Sequence, residues 1–240
     1  MEPSSASVRE RVSKGEFMTY SRYAIYYLPP PGPLADFGAA WLGWDAERGL
    51  PARHPDLPGV DDVTVTPRKY GFHGTLKAPF RLAPGRTQEA LEGQVAEVAA
   101  ACAPAVADGL APAGLGAFLA LVPEGDATGL ARVAETFVRG TDAFRAPPRP
   151  EELARRRVAG LSDRQEALLV NWGYPYVMDE FRFHMTLTGR LAPDTAAGWL
   201  RCVRAHLPAT PVPFVLDEVA LVGERPDGRF ERIHRYGLTG

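Results

Sequence analysis

Two segments of the chain alternate apolar and polar side chains with a period of two, and both read as strands with one buried face. In Arg68 to Arg81, the residues Tyr70, Phe72, Gly74, Leu76, Ala78 and Phe80 fall on one parity; Lys69, His73, Thr75, Lys77 and Arg81 fall on the other. Successive strand residues point to opposite faces, so the first set is expected to feed a core and the second to present His, Thr and Lys together. The pattern returns in Glu180 to Leu191. There Phe181, Phe183, Met185, Leu187 and Leu191 share one parity, and Glu180, Arg182, His184, Thr186, Thr188 and Arg190 share the other.

The elements around these segments follow from composition and capping signals. A Tyr/Ile-rich strand is expected over Arg22 to Leu28, stopped by Pro29-Pro30-Pro31-Gly32, then a helix over Leu34 to Glu47 and a Pro/Gly-rich loop from Leu50 to Gly59. Thr87 is a fitting N-cap for a helix to Ala101 with Leu91, Val95 and Val98 on one stripe, and two short strands follow near Ala105 to Leu110 and Leu115 to Val122. Gly129 to Trp172 reads as helical. Within it, Ser162-Asp-Arg-Gln165 has capping-box form, and Gly173 is placed to end the last helix. A helix over Asp194 to His206 and strands over Val212 to Val222 and Arg229 to Tyr236, joined by Pro226-Asp-Gly228, complete the chain.

The order of His-x-Thr strand, helix and two strands thus occurs twice, with the histidines 111 residues apart. This self-similarity predicts an internal duplication: an α+β fold of two pseudo-twofold lobes, each a mainly antiparallel sheet with flanking helices, facing a central cleft. The expected organisation is a tail over 1–17 (disordered, an alternative start or an expression remnant), then one bilobal domain over 18–240. Its parts are lobe one at 18–125, a helical insert at 126–175 and lobe two at 176–240, with room for strand exchange between the lobes.

Phe72-His73-Gly74-Thr75-Leu76 and Phe183-His184-Met185-Thr186-Leu187 each place an imidazole and a hydroxyl two residues apart, about 6 to 7 Å along a strand. The doubled pattern offers two imidazoles and two hydroxyls to one small tetrahedral group. Phosphodiester hydrolysis needs a base for the attacking water and an acid for the departing oxygen, and imidazole serves either role near neutral pH. Thr75 and Thr186 would donate to non-bridging oxygens, and Lys77, Lys69, Arg182 and Arg190 share the polar face as candidates to stabilise negative charge. No metal or other cofactor is expected: each polar face supplies one histidine and, apart from Glu180, no carboxylate, whereas zinc sites use three or four ligands. No Gly-x-Ser-x-Gly is present to suggest a serine hydrolase. His54, His206 and His234 lack a repeated context.

Composition narrows the partner. The 240-residue chain is 45% hydrophobic and 23% charged with a net charge of -2 and a pI of 6.2, which argues against a surface built to hold long nucleic acid and leaves a small anion in a local basic site. The basic run Arg155-Arg156-Arg157 follows Pro150-Glu151-Glu152, an order that suits a solvated helix end. No apolar run approaches the roughly 20 residues of a membrane helix and no signal peptide is evident, so a cytoplasmic location without membrane partners is expected. Cys102 and Cys202 lack metal-ligand spacing and read as packing residues.

The paired motifs resemble the two-histidine (2H) phosphoesterase superfamily, whose signature is two His-x-Thr/Ser-hydrophobic motifs. More closely, Arg22-Tyr-Ala-Ile-Tyr-Tyr27, Tyr70-Gly-Phe-His-Gly-Thr-Leu-Lys77, Glu152-Leu-Ala-Arg-Arg-Arg157 and Tyr174 through Arg190 look like the DUF1045-like branch associated with bacterial phosphonate-utilisation operons. The resemblance covers Tyr20 to the C-terminus. It implies a bilobal fold of the LigT-like type, His73 and His184 as catalytic residues, Thr75 and Thr186 as phosphate-binding residues, and Tyr23 and Arg68 as further cleft residues. It also implies a cyclic phosphodiesterase, with a ribose-phosphate cyclic phosphate as the substrate for this branch. Two other readings use the same cleft: a phosphodiesterase for RNA 2′,3′-cyclic ends or 2′-5′ linkages, and a non-catalytic sensor of a phosphorylated metabolite.

Overall fold

The computed structural model describes residues 20–158 and 160–240. The expected tail over 1–17 lies outside them. Eleven strands and seven helices are present among the described residues. The first half contains β1 (Tyr23–Tyr27), α1 (Pro33–Leu42), the short hairpin β2 (Trp44–Asp45) and β3 (Leu50–Pro51), α2 (Val60–Arg68), β4 (Gly74–Phe80), α3 (Gln88–Ala100), β5 (Ala105–Ala107), β6 (Gly109–Leu115) and β7 (Phe118–Glu124). There follow α4 (Thr128–Gly140), α5 (Pro150–Arg157), α6 (Asp163–Trp172), β8 (Met185–Thr186), α7 (Pro193–His206), β9 (Phe214–Leu216), β10 (Glu218–Glu224) and β11 (Phe230–Gly237). The class is α+β, and every strand pair is antiparallel.

The duplication is visible in the pairing. Seven strands form one sheet in the order β11-β10-β1-β4-β8-β7-β6, whose two motif strands, β4 and β8, meet at its centre through Gly74 and Met185. The two halves are therefore joined edge to edge. The hairpin β6–β7 of the first half lies beside β8, and the hairpin β10–β11 of the second half lies beside β1. The equivalent short strands β5 and β9 pair with each other, Val106 opposite Val215.

One face of the sheet is covered by helices and holds the main core, including Ile25, Leu76, Phe137, Phe183, Met185, Phe214 and Leu221. The other face has its own smaller apolar cluster beside the first motif: Ala24, Tyr26, Trp44, Val222 and Phe230. Trp44 locks this cluster by donating its indole N–H to the Phe230 carbonyl at 2.6 Å.

Several expected boundaries shift for identifiable reasons. Thr87 caps α3 by accepting from the Ala90 amide at 3.2 Å, and Ser162 and Gln165 form the capping box of α6, which ends at Gly173 with φ +72°. The stretch Val60–Arg68, lying between the expected loop and the first motif strand and overlapping that strand only at Arg68, is helical. Its β-branched residues are weak helix formers, but Val60, Thr64 and Pro67 bury one side, and Asp61 and Asp62 occupy the favourable first turn. The second motif segment joins the sheet only at Met185–Thr186, because a 3₁₀ turn spans Met178–Glu180. The stretch expected as a helical insert comprises three helices, of which α4 packs Leu130, Val133, Ala134 and Phe137 into the main core.

Candidate active site

The Gly74–Met185 pair fixes the geometry of the site. In antiparallel strands, residues opposite one another point to the same face, with Cα atoms about 4.5 to 5.5 Å apart. Continuing the register one residue each way sets His73 across from Thr186 and Thr75 across from His184. The four side chains stand on the face opposite Gly74 and Met185, the histidines on one diagonal and the threonines on the other.

Gly74 permits this approach. A Cβ there would stand 2.6 Å from the Phe183 ring. Gly74→Ala is therefore expected to wedge the motif strands apart and cost about 1 to 3 kcal/mol of stability; urea unfolding of the variant measures it.

The imidazoles are held alike. His73 Nδ1 lies 2.9 Å from the Gly71 carbonyl oxygen, and His184 Nδ1 lies 2.8 Å from that of Arg182. A carbonyl only accepts, so in both rings Nδ1 carries the proton and donates to the residue two positions back. Nε2 is then the nitrogen each ring leaves free of the backbone. At His73 it accepts from the Thr75 hydroxyl at 2.8 Å.

The surroundings differ. Tyr26 stacks on the His73 ring with centroids 3.7 Å apart and planes at 22°, and Tyr70 flanks it at 6.2 Å. Burial beneath these rings, opposed by the Gly71 hydrogen bond and reinforced by the nearby His184, pushes the His73 pKa down to about 4. His184 is less buried, with Phe118 at 5.8 Å its nearest aromatic neighbour. Thr75 and His184 open into a cavity of about 500 Å³, also lined by Phe118, Tyr174, Tyr176, Glu180 and Arg182.

Other expected cleft residues lie elsewhere. Tyr23 faces the main core, and its hydroxyl donates to Gln88 at 3.2 Å; Tyr26, of the opposite parity, is the β1 aromatic residue that reaches the site. The Arg68 guanidinium is occupied by the Leu42 and Asp61 carbonyls and the Thr64 hydroxyl, fastening α2 to α1.

Lys77 does not share the face of His73. Tyr26 pairs with Thr75, but Ile25 pairs with Lys77, so Leu76 and Lys77 both oppose one residue. This bulge breaks the alternation and turns Lys77 inward. Its ammonium donates to the Val138 carbonyl at 3.1 Å and Thr141 Oγ1 at 2.9 Å, and burial pushes its pKa down to about 7 against the pull of Asp142. Of the four cations expected on the polar faces, Lys69, Lys77, Arg182 and Arg190, Arg182 alone lines the cavity at the motif.

Among the described residues, no three His, Cys, Asp or Glu side chains are grouped to hold a metal, and no helix is long and apolar enough to cross a membrane.

The family described as "Protein of unknown function (DUF1045)" matches residues 75–231. The chain belongs to the DUF1045 family. It is 38% identical over 96% of its length to a protein of Janthinobacterium sp. (strain Marseille) named ribose 1,5-bisphosphate phosphokinase PhnN, covering 53% of that protein. A protein of the same name from Laribacter hongkongensis (strain HLHK9) is 38% identical over 77% of this chain and 44% of its own. The chain thus spans about half the length of these curated relatives. Two solved structures are similar to it. One is a phosphoesterase (15% identity, 92% of this chain and 99% of that chain, TM-score 0.41), and the other is E. coli LigT complexed with 3′-AMP (14% identity, 92% and 100%, TM-score 0.44).

Proposed function

We propose that the protein is a metal-independent phosphodiesterase that opens a small cyclic phosphodiester by acid/base catalysis between His73 and His184. The observation that supports it most is the Gly74–Met185 register, which brings two imidazoles and two hydroxyls to one face.

Each participant has a role that follows from its surroundings. His73, with its pKa lowered to about 4, is neutral at pH 7, and its Nε2 takes the proton of the attacking water. Thr75 turns its hydroxyl from that nitrogen to a non-bridging phosphoryl oxygen, and Thr186 binds the other from the opposite strand. His184, on the far side, acts in its doubly protonated form: Nδ1 stays with the Arg182 carbonyl while Nε2 gives its proton to the departing oxygen, and exchange with solvent then returns a proton to His184 and removes the one His73 took. Water adds to phosphorus, the ring P–O bond breaks, and the product is a phosphomonoester with a free hydroxyl.

A ribose-phosphate cyclic phosphate in phosphonate metabolism is the substrate we favour. Supporting it is the name of the curated relatives, which joins a ribose bisphosphate activity to a segment similar to this chain. The chain itself has no Gly-Lys pair and hence no phosphate-loop signature for the kinase part of that name. A phosphorus-detected assay with cyclic ribose phosphates, cyclic mononucleotides and cyclic-ended oligonucleotides tests the reading. Turnover of the small cyclic phosphates, undiminished by EDTA, is expected. Loss of activity on chelation would contradict the mechanism, and preference for the oligonucleotides would favour RNA ends as substrate.

A further inference from the structure

Beside the catalytic cleft lies a second, larger cavity of about 780 Å³ whose lining includes seven cationic side chains and only two carboxylates, Glu152 and Glu224. Such an excess is unusual in a chain whose net charge is -2. Three of the cations are already engaged: Arg22 with Glu224, Arg81 with Glu152, and Arg145 with Asp142. Lys69, Arg149 and Arg155 form no ion pair among the described residues, and Arg156 lies over the Tyr174 ring at 4.4 Å.

The cavity adjoins the catalytic residues on two sides. Tyr176 lines both cavities, and Tyr70, which lines the basic one, flanks His73. Lys69 sits over the Tyr70 ring at 4.8 Å. A ligand with its diester between the histidines can therefore extend past Tyr70 and Tyr176 toward the cations. The run Arg155-Arg156-Arg157, read from sequence as a solvated helix end, divides its work: Arg157 pairs with Glu166, while Arg155 and Arg156 face the cavity.

We propose that this cavity is a second anion subsite, which selects substrates carrying a terminal phosphomonoester in addition to the cyclic diester. Lys69, Arg149, Arg155 and Arg156 hold that phosphate. A dianion there exchanges hydration for several charge-assisted hydrogen bonds without displacing an existing carboxylate from these four. The volume suits a small molecule, and α5 supplies the wall. The selectivity rests on the catalytic reading above; the binding of the phosphate does not.

Two matched pairs of substrates test the proposal: ribose 1,2-cyclic phosphate with and without a 5-phosphate, and adenosine 2′,3′-cyclic phosphate with and without a 5′-phosphate. The wild-type protein is expected to favour the phosphorylated member by about tenfold or more in kcat/KM, mainly through KM. In the double variant Arg155→Ala/Arg156→Ala this ratio falls toward one. Arg157→Ala, on the same helix but outside the cavity lining, keeps it. Preference within the ribose pair alone assigns a sugar phosphate, and within the adenosine pair alone a nucleotide. Equal kcat/KM values within both pairs, or an unchanged ratio in the double variant, would overturn the proposal. Calorimetry with ribose 5-phosphate separates the subsite from catalysis: wild-type binding that the double variant loses upholds the subsite even if no cyclic phosphate is turned over. Absence of wild-type binding overturns it.

Discussion

Replacing either His73 or His184 with alanine is expected to lower kcat by about two to four orders of magnitude, the usual contribution of a positioned acid or base. Both losses should appear under saturating substrate, because in the proposed mechanism each imidazole acts on a proton that moves only in the transition state. The double variant is expected to fall little below the worse single one, since water attack and leaving-group departure belong to one displacement. Folding should survive in His184→Ala, whose ring is partly exposed, with Phe118 5.8 Å away. Single-turnover kinetics on the two variants measures the effect. Less than a tenfold loss in either would remove that histidine from the chemistry.

The second large effect is on stability in acid. The His73 imidazole ordinarily titrates near 6.5, but in the folded protein its pKa lies near 4. Between these values the unfolded chain holds a proton that the folded chain does not. Stability from this group is thus fully present above pH 6.5 and is lost as the pH falls toward 4, in total on the order of 3 kcal/mol. Other groups titrate in the same window, so the comparison must be between the wild type and His73→Gln. The variant loses packing against Tyr26 at every pH, but its unfolding free energy should decline less steeply from pH 6.5 to 4. Urea unfolding at several pH values reads the two slopes. Parallel slopes would show that His73 accepts a proton in the folded state as readily as in the unfolded chain.

The motif residues were legible because a strand's period of two is strict and the same tetrad recurs. His73, Thr75, His184 and Thr186 needed only correct parity and one pairing contact to come together. The α+β class followed from the repeated order of elements. What the pattern hid are departures from regularity. A bulge at Leu76–Lys77 sends Lys77 to the core, although parity placed it with the histidine. In β1, aromatic residues occupy both faces, so composition did not distinguish Tyr26, stacked on His73, from Tyr23 in the core. The helix α2 is formed by residues whose local preference is extended, and its contact with α1 decides the outcome. Arg155 and Arg156 satisfied a sufficient local explanation, the helix dipole, which concealed the cavity they face.

A crystal structure with vanadate or phosphate bound is the most direct measurement of the central claim, that both motifs act on one phosphoryl group. The expected result is a single oxyanion with Nε2 of His73 and of His184 at hydrogen-bond distance on opposite sides and the Thr75 and Thr186 hydroxyls on its remaining oxygens. An anion that engages one motif while the other imidazole stays out of reach would contradict it.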